Sequence, residues 1–317
     1  EGEATLNAPR VALAEAPYDG GEADEALELL DQVLANRADH LRARLWRAFM
    51  TSDAGEPDAL LATLETIAEH LSDHGAPTDH VVYQLTRARL LRRKGEAREA
   101  GRAVDQALRA GASEPRLLSV VAIEARRAGR LSEAETAART AVTGAPSNVD
   151  LRKLLAEIQL ARRNGRGALT TLAELSSDDP DVVAMRGQAA LLLGTEEALA
   201  AAAEALEAHI EGTEEASVEV RALRIRIRVR QGAEQEMLPI ARQLAAEAPG
   251  DPSAALALGE TALRTRDATT AVEALETVVS ASPDDAEGHF LLGRARRMAS
   301  DGEGARRSLE RAVELSP

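Results

Sequence analysis

The sequence contains no cysteine and very few aromatic residues, with two Phe, two Tyr and one Trp in 317 residues. The absence of cysteine excludes disulfide bonds, thiolate metal sites and cysteine nucleophiles. The scarcity of aromatic side chains argues against a wide globular core, because such a core needs bulky groups to fill it. The apolar residues are mostly Ala, Leu and Val, which suit thin layers of closely packed helices. We therefore expect an all-α chain.

Long apolar runs and common catalytic motifs are also missing. No apolar run approaches the roughly 20 residues that a helix needs to cross a bilayer, and no charged-then-apolar leader precedes the helical region. The P-loop, G-x-S-x-G and H-E-x-x-H motifs do not occur. We therefore expect no membrane span, no enzymatic activity and no cofactor. These absences leave the compartment open between the cytoplasm and the periplasm.

Prolines recur along the chain at a fixed spacing. Pro146 and Pro180 lie 34 residues apart, and so do Pro249, Pro283 and Pro317. With this proline taken as position 32, nine repeats begin near residues 7, 41, 81, 115, 149, 183, 218, 252 and 286. Six extra residues separate the second and third repeats, which predicts an insertion loop at residues 71–80.

Each repeat carries the pattern of two helices. In the repeat from Pro115 to Pro146, apolar residues at helical spacing are interrupted by Gly129, and Ala134 and Ala138 then mark a second helix. A glycine permits the left-handed backbone that ends a helix, whereas a proline does not continue one. Small residues let the two helices approach closely. Pro239 lies inside the second helix of the seventh repeat, where it predicts a kink or a shift.

The period, with Gly, Ala, Ala and Pro at these offsets, resembles the tetratricopeptide repeat family over residues 7–317. The last repeat is the best match, through Leu292–Gly293, Ala305, Leu309, Ala312 and Pro317. The first two repeats and the sixth depart from the pattern, the sixth because Gly194 interrupts its first helix early. The resemblance implies one right-handed superhelical α-solenoid of antiparallel helix pairs over residues 1–317. It also implies a protein-interaction scaffold, with first helices on the concave face and second helices on the convex face.

The two halves of each repeat differ in charge. The first fifteen positions of the nine repeats hold 27 basic and 11 acidic residues, whereas the rest of the chain holds 11 basic and 42 acidic residues. With the geometry of the family, this distribution implies a basic groove inside an acidic shell, and such a groove attracts anionic ligands. The preference of Lys and Arg for helix C-termini accounts for part of the excess.

Positions that face the groove in the family carry the candidate ligand-binding residues, all of them arginines. These are Arg89, Arg92, Arg93, Arg116, Arg126 and Arg127 in the third and fourth repeats, and Arg226 and Arg230 in the seventh. Guanidinium groups at these positions would bind carboxylates or phosphates in bidentate fashion.

The leading hypothesis is a scaffold whose basic groove binds an acidic peptide or another protein. Two alternatives stay open, namely a periplasmic scaffold for export of an anionic exopolysaccharide and a regulatory region of a larger signalling protein. The net charge of −15 and the scarcity of aromatic stacking groups argue against nucleic acid as a partner. The Ala- and Arg-rich composition is typical of GC-rich bacterial genomes.

Two further features of the sequence are weaker indications of a metal site and of a self-association surface. His70, His74 and His80 lie within or beside the predicted insertion, and the spacing of the first two would let both imidazoles reach one metal ion. Exposed histidines at a loop tip explain the same pattern, so no metal is predicted. Leu309 and Val313 leave an apolar face of the last helix uncovered, which would permit self-association through the C-terminal face.

Overall fold

The computed structural model describes residues 23–74, 77–111, 117–176 and 178–315, with the side chains of residues 23, 69–74, 77 and 78 outside this description. The regular elements in these ranges are helices, and the prediction of an all-α fold is confirmed. None of these helices is both long enough and apolar enough to cross a membrane.

Seventeen helices follow one another in the described ranges. The first helices of the repeats are α2 (Leu41–Thr51), α4 (Pro77–Arg93), α6 (Leu118–Arg127), α8 (Val149–Ala161), α10 (Pro180–Leu193), α12 (Val218–Arg230), α14 (Pro252–Thr265) and α16 (Ala286–Met298). The second helices are α1 (Ala23–Asn36), α3 (Pro57–His74), α5 (Ala97–Gly111), α7 (Leu131–Gly144), α9 (Gly165–Leu172), α11 (Glu196–Gly212), α13 (Glu234–Glu247), α15 (Ala268–Ala281) and α17 (Gly302–Leu315).

The chain divides into two compact units, an N-terminal unit (Glu1–Ile158) and a C-terminal unit (Gln159–Pro317). Within each unit, most helices that follow one another in the chain pack as neighbours across short turns, which makes them antiparallel pairs. First helices of consecutive repeats also contact each other, as α2 contacts α4 and α12 contacts α14. A single solenoid over all 317 residues stays a prediction.

Several first helices end at a residue with a left-handed backbone conformation. Gly129 after α6 and Gly194 after α10 have φ values of +73° and +68°, as expected for glycine at this position. Arg266 and Ser300 adopt the same backbone after α14 and α16, with φ values of +62° and +65°. The turn geometry is therefore kept in the last two repeats without the glycine that predicts it elsewhere.

The predicted insertion loop at residues 71–80 is wrong over most of its length. Helix α3 continues to His74, and α4 begins at Pro77 rather than near residue 81. Proline is tolerated in the first turn of a helix, because the N–H that it lacks has no intrahelical partner there. The extra residues therefore mainly lengthen two helices.

The sixth repeat keeps a full first helix, contrary to the prediction from Gly194. Helix α10 begins at Pro180 rather than near residue 183, so it has 14 residues before Gly194 ends it. The carboxylate of Asp179 caps this helix by accepting hydrogen bonds from the backbone N–H groups of Asp181 and Val182. In the next repeat, α13 runs from Glu234 to Glu247 through Pro239, so the proline does not end that helix.

Small residues allow close contact between paired helices. Ala134 and Ala138 on α7 are buried, as the repeat pattern predicts. A Cβ atom on Gly259 of α14 would lie 2.6 Å from Cγ of Leu275 on α15. The same arrangement recurs one repeat later, where a Cβ atom on Gly293 of α16 would lie 2.7 Å from Cγ of Leu309. Each leucine therefore packs directly on the backbone of the preceding helix.

Candidate functional site

The carboxylate of Glu124 on α6 gathers three of the candidate arginines in the N-terminal unit. Its Oε1 atom accepts a hydrogen bond from Nε of Arg89 at 2.7 Å and from Nη1 of Arg127 at 3.0 Å. Nη2 of Arg92 lies 3.9 Å from the Oε2 atom. The side chain of Glu124 is only 1% exposed, so this charge depends on the arginines for its stabilisation.

Arg89 is buried between three first helices rather than open to a ligand. Its side chain is 7% exposed, and its guanidinium carbon lies 4.4 Å from the centroid of the Phe49 ring. Nη1 lies within hydrogen-bond distance of the Phe49 carbonyl oxygen and the Ser52 hydroxyl. Arg89 therefore links α4 to α2 and, through Glu124, to α6.

Other candidate arginines of this unit keep part of their surface in solvent. Nη1 of Arg93 donates to the carbonyl oxygens of Ser52 and Gly55 at 2.8 Å and 2.5 Å. Nη1 of Arg126 donates to Glu157 at 2.8 Å, in a half-exposed pair. Arg116 lies outside the described residues. Arg93, Arg126 and Arg127 are therefore the candidates that a ligand can reach most readily, with Arg92 less exposed.

Positive charge exceeds negative charge around Glu124. Asp53 is the second acid at this place, with Oδ2 at 3.7 Å from Nη1 of Arg89. We call the following set the Glu124 cluster: Glu124, Asp53, Arg89, Arg92, Arg93 and Arg127. The cluster has four cations and two anions. The neighbouring Lys94 is paired with Asp58 and Glu96, so it adds no free positive charge.

A second buried ion pair lies in the C-terminal unit, between α12 and α14. Nε of Arg226 donates to Oε2 of Glu260 at 2.8 Å, and Nη2 of Arg226 lies 3.0 Å from Oε1 of Glu287 on α16. Arg230 approaches the same Glu260 carboxylate at 3.5 Å. The guanidinium of Arg226 is therefore paired with two carboxylates, and Arg230 is the more exposed of the two candidates.

The pKa values of this pair show that both groups are charged. Burial by itself lowers the pKa of Arg226 and raises the pKa of Glu260. The opposite charges and the hydrogen bonds between them outweigh burial, so the pKa of Arg226 is raised and the pKa of Glu260 is lowered. The pair therefore stays ionised at neutral pH.

Both buried pairs join consecutive repeats at nearly equivalent positions. Arg226 and Glu260 are 34 residues apart, and Arg89 and Glu124 are 35 residues apart. Neither glutamate is among the site residues predicted from the sequence, because a count of charges per helix does not pair residues of neighbouring repeats. An Arg and a Glu separated by one repeat period were the signal that could have identified them.

The histidines form no described metal centre. The side chains of His70 and His74 lie outside the described residues. Within the described part of the chain, no group of three or more His, Cys, Asp or Glu residues is arranged to hold a metal ion.

The comparisons with known proteins agree on one family. Residues 85–149 and 256–317 match one model of the tetratricopeptide repeat, and residues 125–191 match another. A solved tetratricopeptide repeat protein from Parabacteroides merdae is similar in fold, with 19% identity, a TM-score of 0.57, and coverage of 75% of this chain and 94% of that chain. The human IFIT1 dimer with PPP-AAAA has 14% identity, a TM-score of 0.51, and coverage of 93% and 73%. No curated protein matches the sequence. The repeat matches cover more than half of the chain, which belongs to the tetratricopeptide repeat family.

Proposed function

We propose that this chain is a protein-interaction scaffold that binds an acidic peptide, or an acidic segment of a partner protein, on the first helices of its N-terminal unit. Family membership supports the scaffold function in general, since tetratricopeptide repeat proteins are generally non-catalytic scaffolds. The acidic ligand and its place on the chain are the finer parts of the proposal.

The observation that carries the proposal is the excess of positive charge in the Glu124 cluster. Two carboxylates do not neutralise four guanidinium groups, and one of the two, Glu124, is inaccessible to solvent. Each guanidinium has five N–H donors, whereas Arg127 uses only Nη1 and Arg93 uses only Nη1 in the bonds described above. The remaining donors can take a ligand carboxylate in bidentate geometry.

Each ion pair between this site and a ligand should contribute modestly to the binding free energy. An exposed ion pair is worth about 0.2–1 kcal/mol, so one carboxylate on the ligand would give little affinity. A ligand with two or three acidic side chains that reach Arg93, Arg126 and Arg127 together would bind more tightly. Apolar contacts to the neighbouring helices would have to supply the rest.

The test uses two double variants with the same change in charge. Arg93→Glu with Arg127→Glu removes accessible cations of the cluster. Arg98→Glu with Arg102→Glu, on the exposed surface of α5, is the control. Arg89 is left unchanged, because it is the most deeply buried partner of Glu124 and removal of a buried partner costs about 3–5 kcal/mol. Arg127 also pairs with Glu124 but is 44% exposed, so circular dichroism checks that the variant keeps its helical fold.

Binding of an acidic peptide library is measured by fluorescence anisotropy, with a polyuronate as comparator. We expect the first variant to lose at least about tenfold in affinity, which corresponds to about 1.4 kcal/mol, and the control to bind like the parent. Equal losses in both variants would overturn the site. Preference for the polyuronate would favour the exopolysaccharide alternative over the peptide.

A further inference from the structure

The outer face of α17 in the C-terminal unit carries an open apolar groove. The groove has a volume of about 680 Å³, with Ala305, Leu309 and Val313 along its length. Val313 is 67% exposed, which makes it the most exposed of the large hydrophobic residues described. Ala305 is 5% exposed and Leu309 is half-buried against Gly293 of α16, so the apolar surface that no described helix covers is centred on Val313.

The equivalent residues of the preceding second helix are covered more completely, with Leu275 buried and Val279 partly buried. Leu275 and Val279 on α15 lie 34 residues before Leu309 and Val313, and they belong to or pack against the apolar cluster that includes Leu291 and Leu292 of α16. A surface of this composition is therefore covered by a helix within the same unit. On α17 the equivalent position, Val313, is exposed instead, which makes this end of the helix a candidate contact surface.

The sizes and charges of the side chains on α17 would match those of a second α17 that runs in the opposite direction. Ala305, Leu309 and Val313 follow one another at four-residue intervals, with the small residue nearer the N-terminus. An antiparallel pair centred on Leu309 would place each Val313 over Ala305 of the other copy. Arg306 and Glu314 border the groove near its opposite ends, so the same arrangement would bring each Arg306 to Glu314 of the other copy.

We propose that α17 pairs with α17 of a second copy of this chain, antiparallel about a two-fold axis near Leu309. A two-fold interface of this kind uses the same patch on both copies. A parallel pair would instead place each Arg306 at the level of the other Arg306. The charge pattern therefore favours the antiparallel arrangement.

Ion pairs within one copy do not prevent this arrangement. Arg306 donates to Glu310 at 2.7 Å and Arg311 donates to Glu314 at 3.2 Å, and the four side chains are between 43% and 68% exposed. Exposed pairs within a helix are worth about 0.3–0.5 kcal/mol. The guanidinium of Arg306 has donors for Glu310 of its own copy and for Glu314 of the other copy, which also offsets repulsion between the two Glu310 residues near the axis.

The first experiment measures the mass of the 317-residue chain by sedimentation velocity over a range of concentrations. We expect the parent to form dimers and Val313→Glu to be monomeric at concentrations where the parent is dimeric. Val149→Glu is the matched control, because Val149 is 44% exposed and lies in the N-terminal unit. A monomeric parent, a dimeric Val313→Glu variant, or an equal loss in the control would overturn the proposal.

The second experiment tests the antiparallel contact through charge reversal. Arg306→Glu and Glu314→Arg each set like charges against each other in a homodimer, so each variant should dimerise at least about tenfold more weakly than the parent. An equimolar mixture should recover the dimer, because position 306 of each copy then faces a side chain of opposite charge at position 314 of the other copy. Failure of the mixture to recover would exclude the antiparallel contact. Arg93→Glu with Arg127→Glu should still dimerise, which separates this inference from the proposed function.

Discussion

At the scale of single residues, buried glutamates organise the arginines of the first helices. Glu124 and Glu260 are both buried, and each accepts contacts from more than one arginine. A buried ion pair is retained only when the charges are well matched, and loss of one partner leaves an uncompensated charge in the interior. Arg89 and Arg226 therefore link consecutive repeats, and under the proposed function their more exposed neighbours are the residues that would contact a ligand.

The pair between Arg226 and Glu260 predicts a dependence of stability on pH. The pKa of Glu260 in the folded chain is below its ordinary value of 4.5. Between the folded and the unfolded pKa, the unfolded chain binds more protons, so stability rises with pH in that interval. This contribution should be complete above about pH 5 and should be lost as the pH falls below 4.5 through the folded pKa of Glu260.

Comparison with Glu260→Gln isolates this contribution. Urea unfolding followed by circular dichroism at several pH values should show a smaller loss of stability at acid pH in the variant than in the parent. The variant should still lose some stability at acid pH, because the pKa of Asp267 is also lowered in the folded chain, by hydrogen bonds from Thr270. Glu157→Gln, in the half-exposed pair with Arg126, serves as the control. An unchanged acid dependence in Glu260→Gln would contradict the prediction.

At the scale of helices, Asp–Pro pairs begin two first helices of the C-terminal unit. The Asp251 carboxylate accepts hydrogen bonds from the backbone N–H groups of Ser253 and Ala254, both at 2.9 Å, and Pro252 begins α14. Asp179 and Pro180 repeat this arrangement at the start of α10. The aspartate satisfies free N–H groups of the first turn, and the proline has no N–H that would need a partner.

Removal of the cap should destabilise the chain by a predictable amount. Asp251→Ala should lower the free energy of unfolding by about 1 kcal/mol, because two N–H groups lose their acceptor. The urea midpoint measured by circular dichroism should fall accordingly. Asp284→Ala is the control, since that carboxylate is exposed and pairs with Arg311 at the surface. Similar shifts in the two variants would show that the cap has no special contribution.

At the scale of the whole molecule, a locally basic cluster lies on a chain with a net charge of −15. Long-range repulsion should slow the approach of an acidic peptide, whereas the cluster attracts it at contact distance. The Debye length shortens from about 30 Å at 0.01 M salt to about 10 Å at 0.1 M salt. Added salt therefore screens the distant acidic residues more completely than the contacts with the arginines.

The expected result is an association rate constant for the acidic peptide that rises between these two salt concentrations. The dissociation rate constant should rise as well, because the exposed ion pairs at the cluster are weakened. Stopped-flow fluorescence measures both rate constants, with an uncharged peptide of equal length as the control. An association rate constant that falls with added salt would mean that the basic surface extends well beyond the Glu124 cluster.

The sequence by itself determined the helical class, the 34-residue period and the family. These depend on local chemistry, since glycines such as Gly129 end helices and residues such as Ala134 permit close packing wherever they recur. It also identified the apolar face with Leu309 and Val313, because the helical spacing of these residues is visible in the chain alone. Helix boundaries were less certain, as Pro77 showed, because a proline can either follow a helix or begin one.

Only the tertiary structure decided which arginines are buried and which are accessible. Arg89 and Arg93 are one helical turn apart in the same helix, yet Arg89 is enclosed by Phe49 and Glu124 while Arg93 reaches the turn that follows α2. That difference arises from contacts with residues about 35 to 41 positions away. Burial and ion pairing depend on how neighbouring repeats pack against each other, and the charge of a residue and its position in the repeat do not determine them.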